Sequence, residues 1–264
     1  MKTHILQVTN SSTFMREKPK ESETISSQML YGEQFEIELD SGHWLFGSCL
    51  SDKYKGWTKK KTLGTTSTYT HIVSSQRTFV LQEPDLKSKL IIYLPIRSKI
   101  KVLDINNNWA KIELNNNTNL KFGYISSFHI LHKDNYVDDW VKYAEAMIGV
   151  PYRWGGRDSF GVDCSALVQL SLAFKGIFLP RDSLDQYNFF KKNTNYIVKK
   201  EISGLNLLTR GNIIYWPGHI GIIINQNKMI HASGFHSSVI IEKLDSVISR
   251  IDRDPLFILS SDQV

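Results

Sequence analysis

Cysteine is nearly absent from this chain. Cys49 and Cys164 are its only two, and they form no Cys-x-x-Cys pair. A small scaffold held by disulfides is excluded, so each thiol is either packing or chemistry. Long apolar runs are missing as well, and no stretch approaches the roughly 20 residues of a membrane-spanning helix. The opening residues Met-Lys-Thr-His-Ile-Leu-Gln-Val-Thr-Asn lack the apolar segment and cleavage pattern of a secretion signal. That predicts a cytoplasmic protein with no membrane partner. No His-Glu-x-x-His run is present either. Cys164, His219 and His231 are acceptable zinc ligand types, but without such spacing no metal and no cofactor is expected. A concentrated basic patch is also lacking. The net charge is +6, yet beyond Lys59-Lys60-Lys61 and two lysine pairs the cations are dispersed. They read as solvated surface, and no nucleic-acid partner is expected.

What is present is ordinary globular material. With 264 residues, 41% hydrophobic and 22% charged, the chain is long enough for two or three domains with real cores. The first half repeats. Thr13-Phe14-Met15-Arg16-Glu17-Lys18-Pro19 recurs as Thr78-Phe79-Val80-Leu81-Gln82-Glu83-Pro84. Each copy continues through an apolar stretch with a turn, short alternating strands around Trp44 or Trp109, and a closing Gly56-Trp57 or Gly123-Tyr124. Two copies of this kind predict two small β-barrels, at 1–66 and 67–132. The pattern resembles bacterial SH3-like domains.

The remainder, 133–264, reads as one α+β domain. Asn135 is placed to cap a helix whose face is Val137, Trp140, Val141, Ala144 and Ile148, ended by Gly149 and Pro151. Leu179-Pro180-Arg181-Asp182-Ser183 is a turn into a short helix containing Gln186, and residues 191–204 read as a mobile basic connection. Four apolar runs follow, at 213–216, 219–224, 229–231 and 239–241, separated by turn residues. They predict an antiparallel sheet packed by the preceding helices.

The stretch from Tyr152 to Val168 carries the chemistry. Gly155, Gly156 and Gly161 make a flexible loop, Asp163 is a good N-cap, and Cys164 falls in the first helical turn before Ala166, Leu167 and Leu170. A lone helical cysteine is commonly just a small buried apolar residue. At a helix start, however, the dipole favours thiolate, the nucleophilic form. A nucleophilic thiol needs a base, and the base needs a partner to hold its tautomer. His219 opens one predicted strand and His231 ends the next, so an antiparallel pair sets them side by side. His219 is the expected base and His231 its orienting partner, with His236 as the substitute for the third position. The thiol–imidazole pair predicts a bell-shaped pH dependence.

Tyr152-Arg-Trp-Gly-Gly, Asp163-Cys164-Ser165-Ala-Leu-Val, Leu179-Pro-Arg-Asp-Ser183, His219-Ile-Gly-Ile and Ile230-His231-Ala occur in this order. On these motifs residues 143–234 resemble the NlpC-type papain-like cell-wall peptidases. With two SH3-like domains in front, the chain as a whole resembles the γ-D-glutamyl-L-diamino acid endopeptidases. The resemblance implies a papain-like fold, Cys164 as nucleophile, His219 and His231 as base and orienter, and an oxyanion site at the start of the Cys164 helix. It implies substrate contacts from Tyr152, Trp154, Asp163, Ser165, Asp182 and Ser183, with Tyr54 of the first barrel closing the pocket. The implied substrate is a wall-derived peptide, L-Ala-γ-D-Glu-diamino acid, with a free N-terminal amine paired to Asp163. Three positions depart from the family pattern: Ala166 for glycine, Gly211-Asn212 for glycine-aspartate, and the short Trp216-Pro-Gly218 connection. Two other readings use the same fold: an amidase or acyltransferase, and a peptide-binding protein with a silent cleft. The diamino acid and the oligomeric state are not legible in the sequence.

Overall fold

The computed structural model describes residues 4–115, 120–200 and 208–260. The chain divides into two compact units. One comprises residues 1–136 with 157–159, and the other 137–156 with 160–264.

The first unit holds two SH3-like barrels. β1 (His4–Val8), β2 (Ser12–Arg16), β3 (Ile25–Leu30), β4 (Gln34–Asp40), β5 (Trp44–Cys49), β6 (Lys55–Lys59) and β7 (Leu63–Gly64) form one sheet. Its strand order is β3-β2-β6-β5-β4-β1-β7. β8 (His71–Val73), β9 (Arg77–Leu81), β10 (Leu90–Pro95), β11 (Lys99–Asn106), β12 (Trp109–Glu113), β13 (Phe122–Ser126) and β14 (Ile130–His132) form the second. Its order, β10-β9-β13-β12-β11-β8-β14, is the first order repeated strand for strand. The sequence repeat is thus a repeat of topology. Trp44 and Trp109 open equivalent strands, and the glycines before Trp57 and Tyr124 are the second residues of the equivalent strands β6 and β13. A Cβ on Gly123 would lie 2.6 Å from Val80 Cγ1, so that position needs glycine for close strand approach.

Alternation delivers the core. Val8, Met15, Met29, Phe35, Leu45, Cys49 and Leu63 fill the first barrel, and Val73, Val80, Leu94, Ile100, Ala110, Ile112 and Ile125 the second. Tyr31, from the turn between β3 and β4, belongs to the second barrel's core, and the backbone N–H of Asn115 donates to its hydroxyl at 3.2 Å. The first barrel therefore supplies part of the second barrel's interior.

Arg157, from the glycine-rich loop, is buried in this unit. Its guanidinium donates to Glu33 at 2.8 and 3.2 Å and to the Gln28 carbonyl at 2.8 Å. Gln28 Nε2 donates to Asp158 at 2.6 Å.

The second unit is α+β. It contains α1 (Val141–Glu145), β16 (Gly161–Val162), α2 (Cys164–Leu172) and α3 (Ser183–Lys192), while β15 (Arg157–Asp158) belongs to the first unit. Then follow β17 (Tyr196–Lys199), β18 (Ile213–Trp216), β19 (His219–Asn225), β20 (Lys228–Ser233), β21 (Ser238–Lys243), α4 (Leu244–Arg250) and β22 (Leu256–Ser260). The antiparallel sheet runs β17-β22-β18-β19-β20-β21.

Three local expectations change. The helix expected from Asn135 spans only Val141–Glu145, with no side-chain cap. The Val137 N–H donates to the Phe174 carbonyl instead, and Met147 rather than Ile148 turns inward. The segment read as a loose basic connection closes α3 and forms β17, paired along its length with β22; its residues 201–204 lie outside the described residues. With β17 and β22 added, the sheet has six strands among the described residues rather than four. Among the described residues no helix is long and apolar enough to cross a membrane.

Candidate active site

The site begins at the N-terminus of α2. Asp163 is the N-cap, extended at φ −97° and ψ 175°, and its carboxylate accepts from the Ala166 N–H at 2.8 Å. It also accepts from the Gly155 N–H at 3.0 Å, which ties the glycine loop to the helix start. Gly155 has φ +72°, a conformation that glycine takes without strain. Ser165 Oγ and both terminal nitrogens of Arg181 complete the set around this carboxylate, the latter at 3.0 and 2.5 Å. Arg181 also donates to Ser165 Oγ at 2.8 Å and is almost fully buried. Asp163 is therefore a cap and a buried ion-pair partner at once, and a substrate amine would have to share it with Arg181. Gln186, from α3, donates to the Ser165 and Pro180 carbonyls at 2.9 and 3.0 Å, so α3 braces the same helix end.

Cys164, 7% exposed, stands in the first turn of α2. Its sulfur takes backbone hydrogen bonds from Ile220 and Ser165. The first of these places the thiol at the start of β19, beside His219. Burial, aided by the Asp163 charge, pushes the thiol up to about 12, against the two amides and Arg181. The helix start does not make a resting thiolate, because desolvation outweighs the amide dipoles.

The turn Pro217-Gly218 joins β18 to β19 in two residues, with Gly218 at φ +91° and His219 opposite Trp216. The short connection thus sets His219 at the strand start. Ile222 pairs with Ile230, so one step on Gly221 faces His231. A Cβ on Gly221 would come within 3.2 Å of both the His231 Cβ and the Ile230 carbonyl oxygen. His219 reaches His231 across this gap, one diagonal away on the same face, and Nε2 lies 2.7 Å from His231 Nδ1. The histidines are diagonal rather than directly opposed, which the hairpin register decides. Burial lowers His219 to about 3 and lowers His231 as well, so both rings rest neutral. Trp216, Ile223, Met229, Leu244 and Val247 form the apolar cluster on this face. Burial thus acts against charge on the thiol and on both rings alike.

Of the other predicted residues, Tyr152 is half-buried. Burial raises its phenol, and the Cys164 and Asp163 charges add to the rise, so the hydroxyl keeps its proton. Trp154 is 67% exposed. Asp182 is exposed at the N-terminus of α3, and Ser183 is its first residue. Tyr54 belongs to the first unit, where it packs against the core of its own barrel. His236 does not replace His231; its Nε2 is 3.4 Å from Glu242. Sequence reasoning missed Glu242, whose Oε2 is 3.2 Å from His231 Nε2, and gave no role to Arg181. The available signal was period two: Ile240 pairs with His231, so Glu242 lies on the same face of β21.

Residues 149–251 match the NlpC/P60 family, and residues 15–63 match the bacterial dipeptidyl-peptidase SH3 domain. Dipeptidyl-peptidase 6 of Lysinibacillus sphaericus is 26% identical over 240 residues, covering 83% of each chain. The γ-D-glutamyl-L-lysine dipeptidyl-peptidase of Bacillus subtilis strain 168 is 23% identical, over 85% of this chain and 77% of that protein. An NlpC/P60 family protein from Bacillus cereus ATCC 10987 shares the fold at TM-score 0.76 and 18% identity, over 92% of this chain and 95% of that one. Peptidases of this family are cysteine peptidases, and Cys164, His219 and His231 fall within the matched span. This chain thus carries an NlpC/P60 domain preceded by a bacterial SH3 domain.

Proposed function

We propose that the protein hydrolyses the γ-D-glutamyl–L-diamino acid bond of cell-wall peptides and prefers a free N-terminal L-alanine. The observation that carries the chemistry is the 2.7 Å contact of His219 with His231 at the end of β19 whose Ile220 N–H touches the Cys164 sulfur. His219 takes the thiol proton as sulfur attacks the γ-glutamyl carbonyl. Backbone N–H groups at the start of α2 and the Tyr152 hydroxyl are the donors for the developing oxyanion. His219 returns the proton to the departing amine, and water then hydrolyses the thioester by the same route. Asp163, Ser165, Asp182 and Ser183 surround this helix start and Trp154 offers an exposed aromatic face, so these are the residues for the peptide.

Two relatives named dipeptidyl-peptidases, one of them for γ-D-glutamyl-L-lysine, support the reading of the bond and of the free amine. Release of a dipeptide requires an unblocked N-terminus. The test is mass spectrometry of products from L-Ala-γ-D-Glu-L-Lys and its meso-diaminopimelate counterpart, each free and N-acetylated. Release of L-Ala-γ-D-Glu, with kcat/KM at least 100-fold higher for the free peptide, is expected from losing a paired, desolvated amine. Equal rates for the blocked peptide would discard the free-terminus preference. Intact peptides would discard the bond assignment.

A further inference from the structure

His231 has a second partner, and its identity fixes where protons sit. Glu242 on β21 lies one diagonal beyond His231, as His231 lies one diagonal beyond His219. The three side chains therefore cross β19, β20 and β21 on one face as a line. His219 Nε2 meets His231 Nδ1 at 2.7 Å, and His231 Nε2 meets Glu242 Oε2 at 3.2 Å. Arg250 of α4 closes the line, donating to both Glu242 oxygens at 2.5 and 2.8 Å, and its guanidinium lies 4.7 Å from the Phe235 ring. Resting on the hydrolase reading above, we propose that Glu242 is a positioning residue that fixes the tautomers of both histidines and leaves the His219 Nδ1 lone pair as the base for Cys164.

Counting protons along the line fixes each tautomer. The bidentate Arg250 contact holds Glu242 ionised, at about 2, with hydrogen bonds from His231 and His236 adding to the effect against some desolvation. An ionised carboxylate only accepts, so His231 Nε2 carries a hydrogen. A neutral imidazole has one N–H, so His231 Nδ1 is a lone pair. A 2.7 Å contact needs one hydrogen between its ends, so His219 Nε2 supplies it. The remaining nitrogen, His219 Nδ1, is unprotonated and points away from the relay. Burial keeps His231 neutral, and the Arg250 cation works in the same direction. Were His231 charged, it would donate from both nitrogens and His219 would carry its hydrogen on Nδ1, useless as a base. The groups facing the two rings are Glu242, Arg250 and His236, and only Glu242 is anionic.

The experiment uses the full chain, uniformly 15N-labelled at histidine, with resonances assigned through His219→Ala and His231→Ala. Long-range 1H–15N spectra read which nitrogen bears each proton. In the parent both rings are expected to be protonated at Nε2. Glu242→Ala should mix the His231 tautomers and lower kcat on the order of 10- to 100-fold with KM within about twofold, the scale of lost orienting partners. It should slow Cys164 alkylation by iodoacetamide, followed by intact mass, by a similar factor. Glu242→Gln keeps an acceptor oxygen and the side-chain volume. It should restore kcat to within about tenfold of the parent while moving the acid limb to lower pH, because the anion that favours His219 protonation is gone. Tautomers and alkylation need no substrate, so a parent that fails to cleave the peptides overturns the substrate reading and leaves this inference under test. A parent His231 protonated at Nδ1 would overturn it. So would a folded Glu242→Ala with parental tautomers and alkylation, or a Gln variant as slow as Ala with an unmoved acid limb.

Discussion

Cys164 and Cys49 are both buried thiols, and they differ in what stands beside them. Cys49 sits in the first barrel's core, where burial and the Glu33 and Asp52 charges raise it well above the ordinary thiol range. Cys164 has two backbone N–H groups on its sulfur and a histidine at the neighbouring strand start. Cys164→Ala should abolish hydrolysis and leave the circular dichroism spectrum unchanged. Cys49→Ala should change kcat/KM less than about threefold, its cost falling on stability. His219→Ala removes the proton acceptor and His231→Ala only its orientation, so the second should cost less in kcat. The pH profile follows from the neutral dyad. His219 must be unprotonated to act, and burial lowers it from 6.5 to about 3. The acid limb of kcat/KM should therefore lie well below the ordinary histidine value. A limb at or above that value would mean the rings rest charged, the bell that sequence reasoning alone expects.

At the scale of elements, the helix that carries Cys164 depends on one carboxylate. Asp163 caps α2 and balances a buried arginine. Asp163→Ala loses the cap, worth about 1 kcal/mol, and strands Arg181, which adds roughly 3–5 kcal/mol. Asp163→Asn retains a capping oxygen and should lose mainly the second part. Urea midpoints of the two variants separate the contributions, and equal losses would remove the cap from the account. The cap was legible in the sequence because it is local, an Asx residue before an apolar helix. Arg181 was not, because eighteen positions separate it from Asp163 and no period connects them. The strand β17 escaped for a similar reason: Tyr-Ile-Val-Lys is short, half-exposed and next to lysines, and only pairing with β22 makes it a strand.

Over the whole molecule, stability rests on buried charge as well as on core area. Glu33 would be raised by burial alone, but Arg157 and Lys99 with its hydrogen bonds hold it at about 2. Glu33→Ala should cost roughly 3–5 kcal/mol by leaving Arg157 unpaired, whereas a paired replacement of both by apolar residues should cost far less. Acid should act in two stages. The unfolded chain protonates His219 and His231 near 6.5 while the folded chain resists, so stability falls as pH drops below 6.5 toward about 3. Glu33 and Glu242 then withdraw their contribution as pH falls from the ordinary carboxylate range to about 2. Thermal scans from pH 7.5 to 4 should show a falling melting temperature before carboxylates titrate. A flat profile over that range would contradict neutral buried rings.

The sequence by itself determined what local pattern encodes. Alternation and turn residues gave two equivalent barrels, and the glycine loop, the Asp163 cap and helical spacing placed Cys164 at a helix start. The apolar runs put His219 and His231 on adjoining strands, His219 at a strand start and His231 within the next strand rather than at its end. Only the tertiary structure decided what long-range neighbours impose. Hairpin register made the His219–His231 contact diagonal and carried the line on to Glu242 and Arg250. Burial raises the thiol and lowers both rings where a helix dipole alone argues for thiolate. Chain reversal put Arg181 on Asp163 and Arg157 on Glu33. Such partners lie far apart in the chain, and a charge or lone pair shows no periodicity, so their pairing exists only once the strands and helices have closed around them.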